Sequence, residues 1–346
     1  MRRHDVDWLR VLALGLLIVY HVVVSFQPWA HYIFFIQNKQ SLEWLWIFMG
    51  MINIWRIPLL FMISGMGARF AMERRNWKQL LKDRTVRILL PFIFGLFCIC
   101  PISVYFAMKY FGKEPQYIPN AGHLWFLANI FLYVLFLLPL LVYLKNRSGN
   151  FVLRFLSNMF HRPAGIYLMA LPVMFEAWLI NPESFSGYAQ TSHGFWLGMV
   201  CFLSGFIFVS LKSVFWRAVE GVRRGALVVA FLLYLVRLFV FQLEEGPSVL
   251  TAFESMSWML AIFGYASLYL NKPSQKLAYF SAAAYPVYIV HMPLQYFFSC
   301  YIIPLSLPAA MKLLLLLVLT FGGSLVLYEF ALKRIKWVRP LFGLKL

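Results

Sequence analysis

Long apolar runs separated by short polar and basic connections dominate the chain. They fall at about 8–27, 43–70, 86–109, 123–144, 164–180, 194–211, 225–242, 251–270, 279–302 and 309–332. A helix of roughly 20 apolar residues is long enough to cross a hydrocarbon layer of about 30 Å. The pattern therefore predicts an all-α polytopic membrane protein with about ten transmembrane helices. No internal repeat or low-complexity linker is visible, so residues 1–346 read as a single transmembrane domain. The first run follows a basic N-terminus, but Ser25-Phe26-Gln27-Pro28 lacks a small-residue cleavage pattern, so this helix is expected to be retained.

The connections orient the helices. One side collects Arg2 and Arg3, then Arg69, Arg74, Arg75, Lys78, Lys82, Arg84 and Arg87, then Lys145, Arg147, Arg154 and Arg162. It also receives Lys212, Arg217, Arg223, Arg224, Lys272 and Lys276, and finally Lys333, Arg334, Lys336, Arg339 and Lys345. The other side holds Lys39, Lys109 and Lys113 against Glu43, Glu114, Glu183, Glu244 and Glu245. Cytoplasmic loops carry the excess of Lys and Arg, so this alternation places both termini in the cytoplasm. It also accounts for the net charge of +18, and no nucleic-acid partner is expected. A chain 62% hydrophobic and 13% charged belongs in a bilayer, not among soluble domains. Cys98, Cys100, Cys201 and Cys300 lie in apolar runs without metal-ligand spacing, so neither a metal nor a disulfide framework is expected.

Ionisable residues inside apolar runs are costly unless paired or facing water, and they mark the candidate chemistry. Asp7-Trp8-Leu9-Arg10 is followed by ten uncharged residues and then His21. On one helix these eleven steps make about three turns plus roughly 20°, so Arg10 and His21 share a face about 16 Å apart. Arg10 then sits at a membrane surface and His21 well inside it. The plainer reading is an anchoring arginine and a histidine paired within a bundle. Arg56 precedes Pro58 in the second run, and the backbone groups that this proline frees need partners from neighbours or a wet cavity. Ser64-Gly65 suits close helix packing and is not taken as a nucleophile. Arg237 reads as a structural partner of Glu176 or Glu254. Glu329, close to Lys333 and Arg334, reads as a structural ion-pair member.

Arg84 and Arg87 lie one helical turn apart and would present two guanidinium forks on the side that also holds Arg10, an arrangement suited to several phosphates. The plainer reading is charge bias with contacts to anionic headgroups. On the opposite side His123 and Trp125 open the fourth helix, where such residues are often interface-belt elements. Tyr285, Tyr288 and His291 recur every third residue, and the nearby Pro286 and Pro293 again imply irregular backbone beside a cavity.

Together these stretches resemble the integral-membrane acyltransferase family 3. The likeness is carried by Arg10 and His21, by Arg56 with Phe61 and Ser64-Gly65, by Arg84 with Arg87 and Pro91, and by Tyr288 with His291. His123-Leu124-Trp125-Phe126-Leu127 and the tail from Glu329 to Gly343 resemble a branch of that family concerned with glucan biosynthesis. The resemblance implies transfer of an acyl group, acetyl or succinyl, from acyl-CoA to a hydroxyl of a glycan or lipid-linked sugar, in a bacterial cytoplasmic (inner) membrane. It also implies that Arg10 and His21 are essential. The residue chemistry agrees. Arg10, Arg84 and Arg87 would hold acetyl-CoA or succinyl-CoA by its phosphates, and His21 would act as general base. Arg56, His123, Trp125, Tyr288 and His291 would bind or support the acceptor, the Trp125 ring stacking on a sugar. Direct transfer and an acyl-histidine intermediate are both open. Acyl group, acceptor and oligomeric state are not fixed by these residues.

The main rival is a secondary transporter with intramembrane His and Arg as a proton or substrate relay. The missing repeat and the arginine excess at one mouth count against it. A purely structural membrane protein would leave His21, Arg56 and His291 unexplained. The orientation is directly testable: cysteines placed near Gly122 should react with an impermeant reagent applied from outside, and cysteines near Lys78 should not. The reverse pattern would put the arginine mouth on the wrong side for a cytoplasmic donor.

Overall fold

Backbone amides and carbonyls in hydrocarbon must satisfy one another within a segment, which a helix does. The computed structural model describes residues 3–146, 149–162, 164–243 and 246–345, and among them there are helices and turns but no strand. Arg2, Arg147, Glu244 and Glu245 of the loop-charge pattern lie outside the described residues. The helices are α1 (His4–Val24), α2 (Leu45–Met72), α3 (Trp77–Tyr110), α4 (Gly122–Asn146), α5 (Phe151–Phe160) and α6 (Gly165–Ile180). They continue with α7 (Ser192–Ser210), α8 (Ser213–Phe239), α9 (Ser248–Tyr269), α10 (Gln275–Ile302) and α11 (Ala309–Leu332).

Each expected span falls in a helix, but among the described residues seven helices are long and apolar enough to cross a membrane by length and composition: α1, α2, α3, α4, α7, α9 and α11. The other three expected spans fall short for distinct reasons. α6 is a shorter apolar helix whose first turn is 3-10. α8 carries Arg217, Glu220, Arg223 and Arg224 in its first half. α10 holds Pro286, Tyr288, His291, Pro293 and Gln295, and these polar or ring-locked residues lower its hydropathy. α5 was not among the expected elements. Its start is capped by the Asn150 side chain, which accepts from the Leu153 amide at 2.8 Å, and it buries Leu153, Leu156 and Phe160 on one face.

The chain divides into two compact units. The first comprises Met1–Ala13, Gly50–Asp83 and Asn129–Ser274, and the second Leu14–Met49, Arg84–Ala128 and Gln275–Leu346. In the first unit, Pro58 lies inside an unbroken α2. Having no N–H, it leaves the Ile54 carbonyl without its i+4 donor. Two hydroxyls replace the missing amide: Ser255 Oγ donates to Ile54 O at 2.7 Å and Tyr188 Oη at 2.9 Å. The same unit brings buried ionisable groups together in two pairs. Arg237 donates to both carboxylate oxygens of Glu254 at 2.7 and 3.0 Å, while Glu176 faces His193 Nδ1 at 2.9 Å. The expected partner of Arg237 therefore resolves to Glu254. α2 and α7 approach through Gly65 and Gly205, where an added Cβ would collide with the carbonyls of Phe202 and Met62 respectively.

In the second unit, Phe26, Phe35, Ile36, Tyr296, Ile303 and Leu316 share a buried cluster. Lys312 is buried with its ammonium on the Ile303 carbonyl (2.7 Å) and on Asn38 Oδ1 (3.2 Å), joining the end of α10 to the loop after α1. Two π turns, Thr85–Leu89 and Gly95–Ile99, interrupt α3 just before Pro91 and Pro101. A proline disfavours a regular turn ahead of it, and a wider turn relieves the conflict. The tail turns back through Arg339–Phe342, Phe342 meets Phe94 edge-on at 5.5 Å, and Gly343 takes a left-handed φ of 68° against the Tyr285 ring. Glu329 pairs with Lys333 at 2.9 Å, i,i+4 on the same helix edge. The Glu329 carboxylate raises the pKa of the Lys333 ammonium above its ordinary value.

The glycine contacts give a stability test. Gly65→Ala and Gly205→Ala should each lower the thermal or denaturant midpoint by the equivalent of about 1–3 kcal/mol, because a methyl must displace backbone. Gly15→Ala, with nothing near its Cβ, should be neutral or slightly stabilising.

Candidate active site

The second unit gathers three histidines, and α10 holds them in place. Pro293 frees the carbonyl of Ile289, four residues earlier, just as Pro58 frees that of Ile54. The replacement donor is an imidazole: His123 Nε2 lies 3.1 Å from Ile289 O and 3.1 Å from Tyr288 O. The Tyr288 hydroxyl returns a hydrogen bond to the His123 carbonyl. His123 is therefore buried and directed onto α10. Its Nε2 is thus committed to the α10 backbone. Trp125, the next expected contact on α4, is half-buried.

His291 is fully buried, with Nδ1 2.6 Å from the Tyr288 carbonyl and Nε2 2.9 Å from His21 Nδ1. The His21 and His291 rings lie nearly parallel, 5.1 Å apart with 13° between planes, and the His123 ring meets His291 edge-on at 4.9 Å. His21 itself is only partly buried. It sits in the last turn of α1, where carbonyls lose their helical donors. Gln295 Nε2 donates to the His21 carbonyl at 2.6 Å. Gln295 is one turn beyond His291, so one face of α10 grips both the ring and the backbone of His21. Phe35 lies 6.1 Å from the His21 ring and Tyr296 5.5 Å from Phe35, an apolar wall on one flank. Gln295 escaped the reading of the sequence. Its i+4 spacing from His291 was the available signal, but a glutamine in an apolar run does not announce its partner.

The arginines are placed differently. Arg84 and Arg87 are half-buried at the start of the second unit's share of α3. Arg84 immediately precedes the π turn Thr85–Leu89 and Arg87 lies within it, so their spacing is not that of a regular α-helical turn. Arg84 lies close enough to Tyr285 to act on it electrostatically. Arg10 belongs to the first unit and lies 3.6 Å from Asp7, one turn earlier on α1. Arg56 also belongs to the first unit, buried beside Tyr188, whose hydroxyl bonds the α2 backbone. Of the expected site residues, then, His21, His123, Tyr288 and His291 form one contiguous cluster. Among the described residues no group of three or more His, Cys, Asp or Glu side chains is arranged to hold a metal.

A membrane-embedded helical chain with a partly accessible histidine held by a second, buried histidine has the ingredients of an acyl-transfer enzyme. The chain belongs to the acyltransferase-domain family 3, which it matches over residues 3–329. It is similar to glucans biosynthesis protein C from Salmonella paratyphi B, Salmonella dublin and Salmonella choleraesuis, at 24% identity in each case. The similarity covers 99% of this chain and 94% of each relative. No solved structure matches it. The protein is thus a multi-pass membrane protein of an acyltransferase family.

The proline substitution by His123 yields a double-mutant test. His123→Ala should lower stability by about 1–3 kcal/mol, because it strands a buried carbonyl. In a Pro293→Ala background, where residue 293 regains an N–H for Ile289 O, the same change should be distinctly milder. Equal losses in both backgrounds would contradict the assigned role of His123.

Proposed function

We propose that the protein transfers an acyl group from a cytoplasmic acyl-CoA, acetyl- or succinyl-CoA, to a hydroxyl of a glycan or lipid-linked sugar in a bacterial inner membrane. The observation that carries this reading is the partly buried His21, held by α10 at both ring and backbone, in a chain of the acyltransferase family. The acceptor class is supported by the similarity to proteins named for glucan biosynthesis. His21 takes the proton of the acceptor hydroxyl as its oxygen attacks the thioester carbonyl. The carbon–sulfur bond then breaks, and the proton passes to the departing thiolate, giving an ester and free coenzyme A. Neutral imidazole suits this task near pH 7. Arg84 and Arg87 are assigned to the donor's phosphates by their forked geometry, and Arg10 by its place on the cytoplasmic end of α1. An α-helical rise over the eleven residues from Arg10 to His21 gives about 16 Å, comparable to the reach of the pantetheine arm. Both termini are assigned to the cytoplasm from the loop charges. Membership of an acyltransferase family disfavours the transporter reading.

Kinetics separate the two helix 1 residues. Phosphate contacts exist in both ground and transition states, so Arg10→Ala should mainly raise KM for acyl-CoA, and Arg10→Lys should recover part of that loss. Proton removal occurs only in the transition state, so His21→Ala should lower kcat by roughly 10²–10⁴-fold while donor binding survives. A donor-saturable His21→Ala enzyme with normal kcat would overturn the mechanism.

A further inference from the structure

We infer that His291 is a positioning residue that fixes the tautomer of His21, making Nε2 of His21 the atom that receives the acceptor's proton. The inference rests on the reading of His21 as the base and adds which nitrogen acts and what selects it. A carbonyl oxygen can only accept a hydrogen bond. Because Tyr288 O lies 2.6 Å from His291 Nδ1, that nitrogen carries the hydrogen. A neutral imidazole has a single N–H, so Nε2 of His291 bears the lone pair. A second proton on this fully buried ring would put a cation against a carbonyl and two other imidazoles, an arrangement hydrocarbon penalises. His21 Nδ1, 2.9 Å from that lone pair, must then be the donor. The remaining nitrogen of His21, Nε2, is left with the lone pair.

His123 makes this assignment robust. Its Nε2–H also points at Tyr288 O, so that oxygen is surrounded by donors and keeps the His291 ring from turning over. The edge-on His123 ring blocks one side of His291, and Gln295 fixes the backbone from which the His21 ring projects. The logic is that of a nucleophile–base–orienter series in which a carboxylate usually holds Nδ1–H. Here a neutral imidazole does so. When His21 accepts the hydroxyl proton at Nε2, its Nδ1–H···Nε2 bond to His291 becomes charge-assisted and shortens, which stabilises the imidazolium as it forms. No net proton leaves the pair, and the proton on Nε2 remains available for the departing thiolate.

The test is ¹⁵N NMR of the full chain, labelled at histidine side chains and held in lipid nanodiscs without substrate, with the His21 signals assigned by loss in His21→Gln. The expected result is a protonated Nδ1 and an unprotonated Nε2 in His21. A protonated Nε2 in His21 would overturn the inference while leaving His21 free to act as base through Nδ1. Turnover supplies the second readout. His291→Met removes the acceptor but keeps bulk, and it should lower kcat about 10²-fold with KM for the donor unchanged. In His291→Gln the amide oxygen falls where Nε2 was, and it should restore most of that loss. Wild-type kcat in a folded His291→Met enzyme would also overturn the inference, whereas normal kcat in His21→Ala would instead remove the underlying reading. If His291→Met does not fold, the tautomer of the unmutated protein decides.

Discussion

A carbonyl freed by proline inside an apolar helix must find a donor, and in this protein both units answer that demand with side chains from neighbouring segments. In the first unit the Ile54 carbonyl, released by Pro58, takes the hydroxyls of Ser255 and Tyr188. In the second, the Ile289 carbonyl, released by Pro293, takes the imidazole of His123. In water such a carbonyl would be solvated. In hydrocarbon it would go without a partner, and a bare polar group there costs several kcal/mol. These prolines therefore tie α2 to residues 188 and 255, and α10 to the start of α4, at single, defined depths.

The candidate site is built on the second of these ties. Once His123 has docked on the carbonyls of Tyr288 and Ile289, the ring of His291, on the same turn of α10, has its Nδ1 committed to Tyr288 O and its Nε2 turned toward α1. Gln295, one turn further along, holds the end of α1 by the carbonyl of His21. Holding a base by ring and by backbone removes much of its rotational freedom before any substrate arrives, and such preorganisation is a large part of what an active site contributes. The buried charges of the first unit serve differently. Arg237 with Glu254 is a buried ion pair, and His193 with Glu176 a buried hydrogen-bonded pair. Such pairs fix geometry more than they add stability.

Much of the design was legible in the chain. Apolar runs located the helices, since length and hydropathy are local properties. Pro58, Pro286 and Pro293 announced irregular hydrogen bonding, because a missing N–H is a fact about one residue. The pairing of Glu329 with Lys333 followed from i,i+4 spacing, and the fit of Ser64-Gly65 to close packing followed from side-chain size. The amphipathic α5 was not anticipated, as its ten residues sit within a charged connection and bury only one edge.

Sequence by itself determined that this is a helical membrane protein, which residues are too polar for their surroundings, and that His21, His123, Tyr288 and His291 are candidates for chemistry. It did not determine that these four meet, because residues 21, 123 and 291 are far apart in the chain and nothing local encodes their contact. Tertiary structure decided that His123 docks on the α10 backbone, that Arg237 selects Glu254 over Glu176, and that Gln295 holds the His21 carbonyl. The physical reason is the same in each case. Local patterns say that a polar group needs a partner, and only the packed helices say which partner lies within hydrogen-bonding distance.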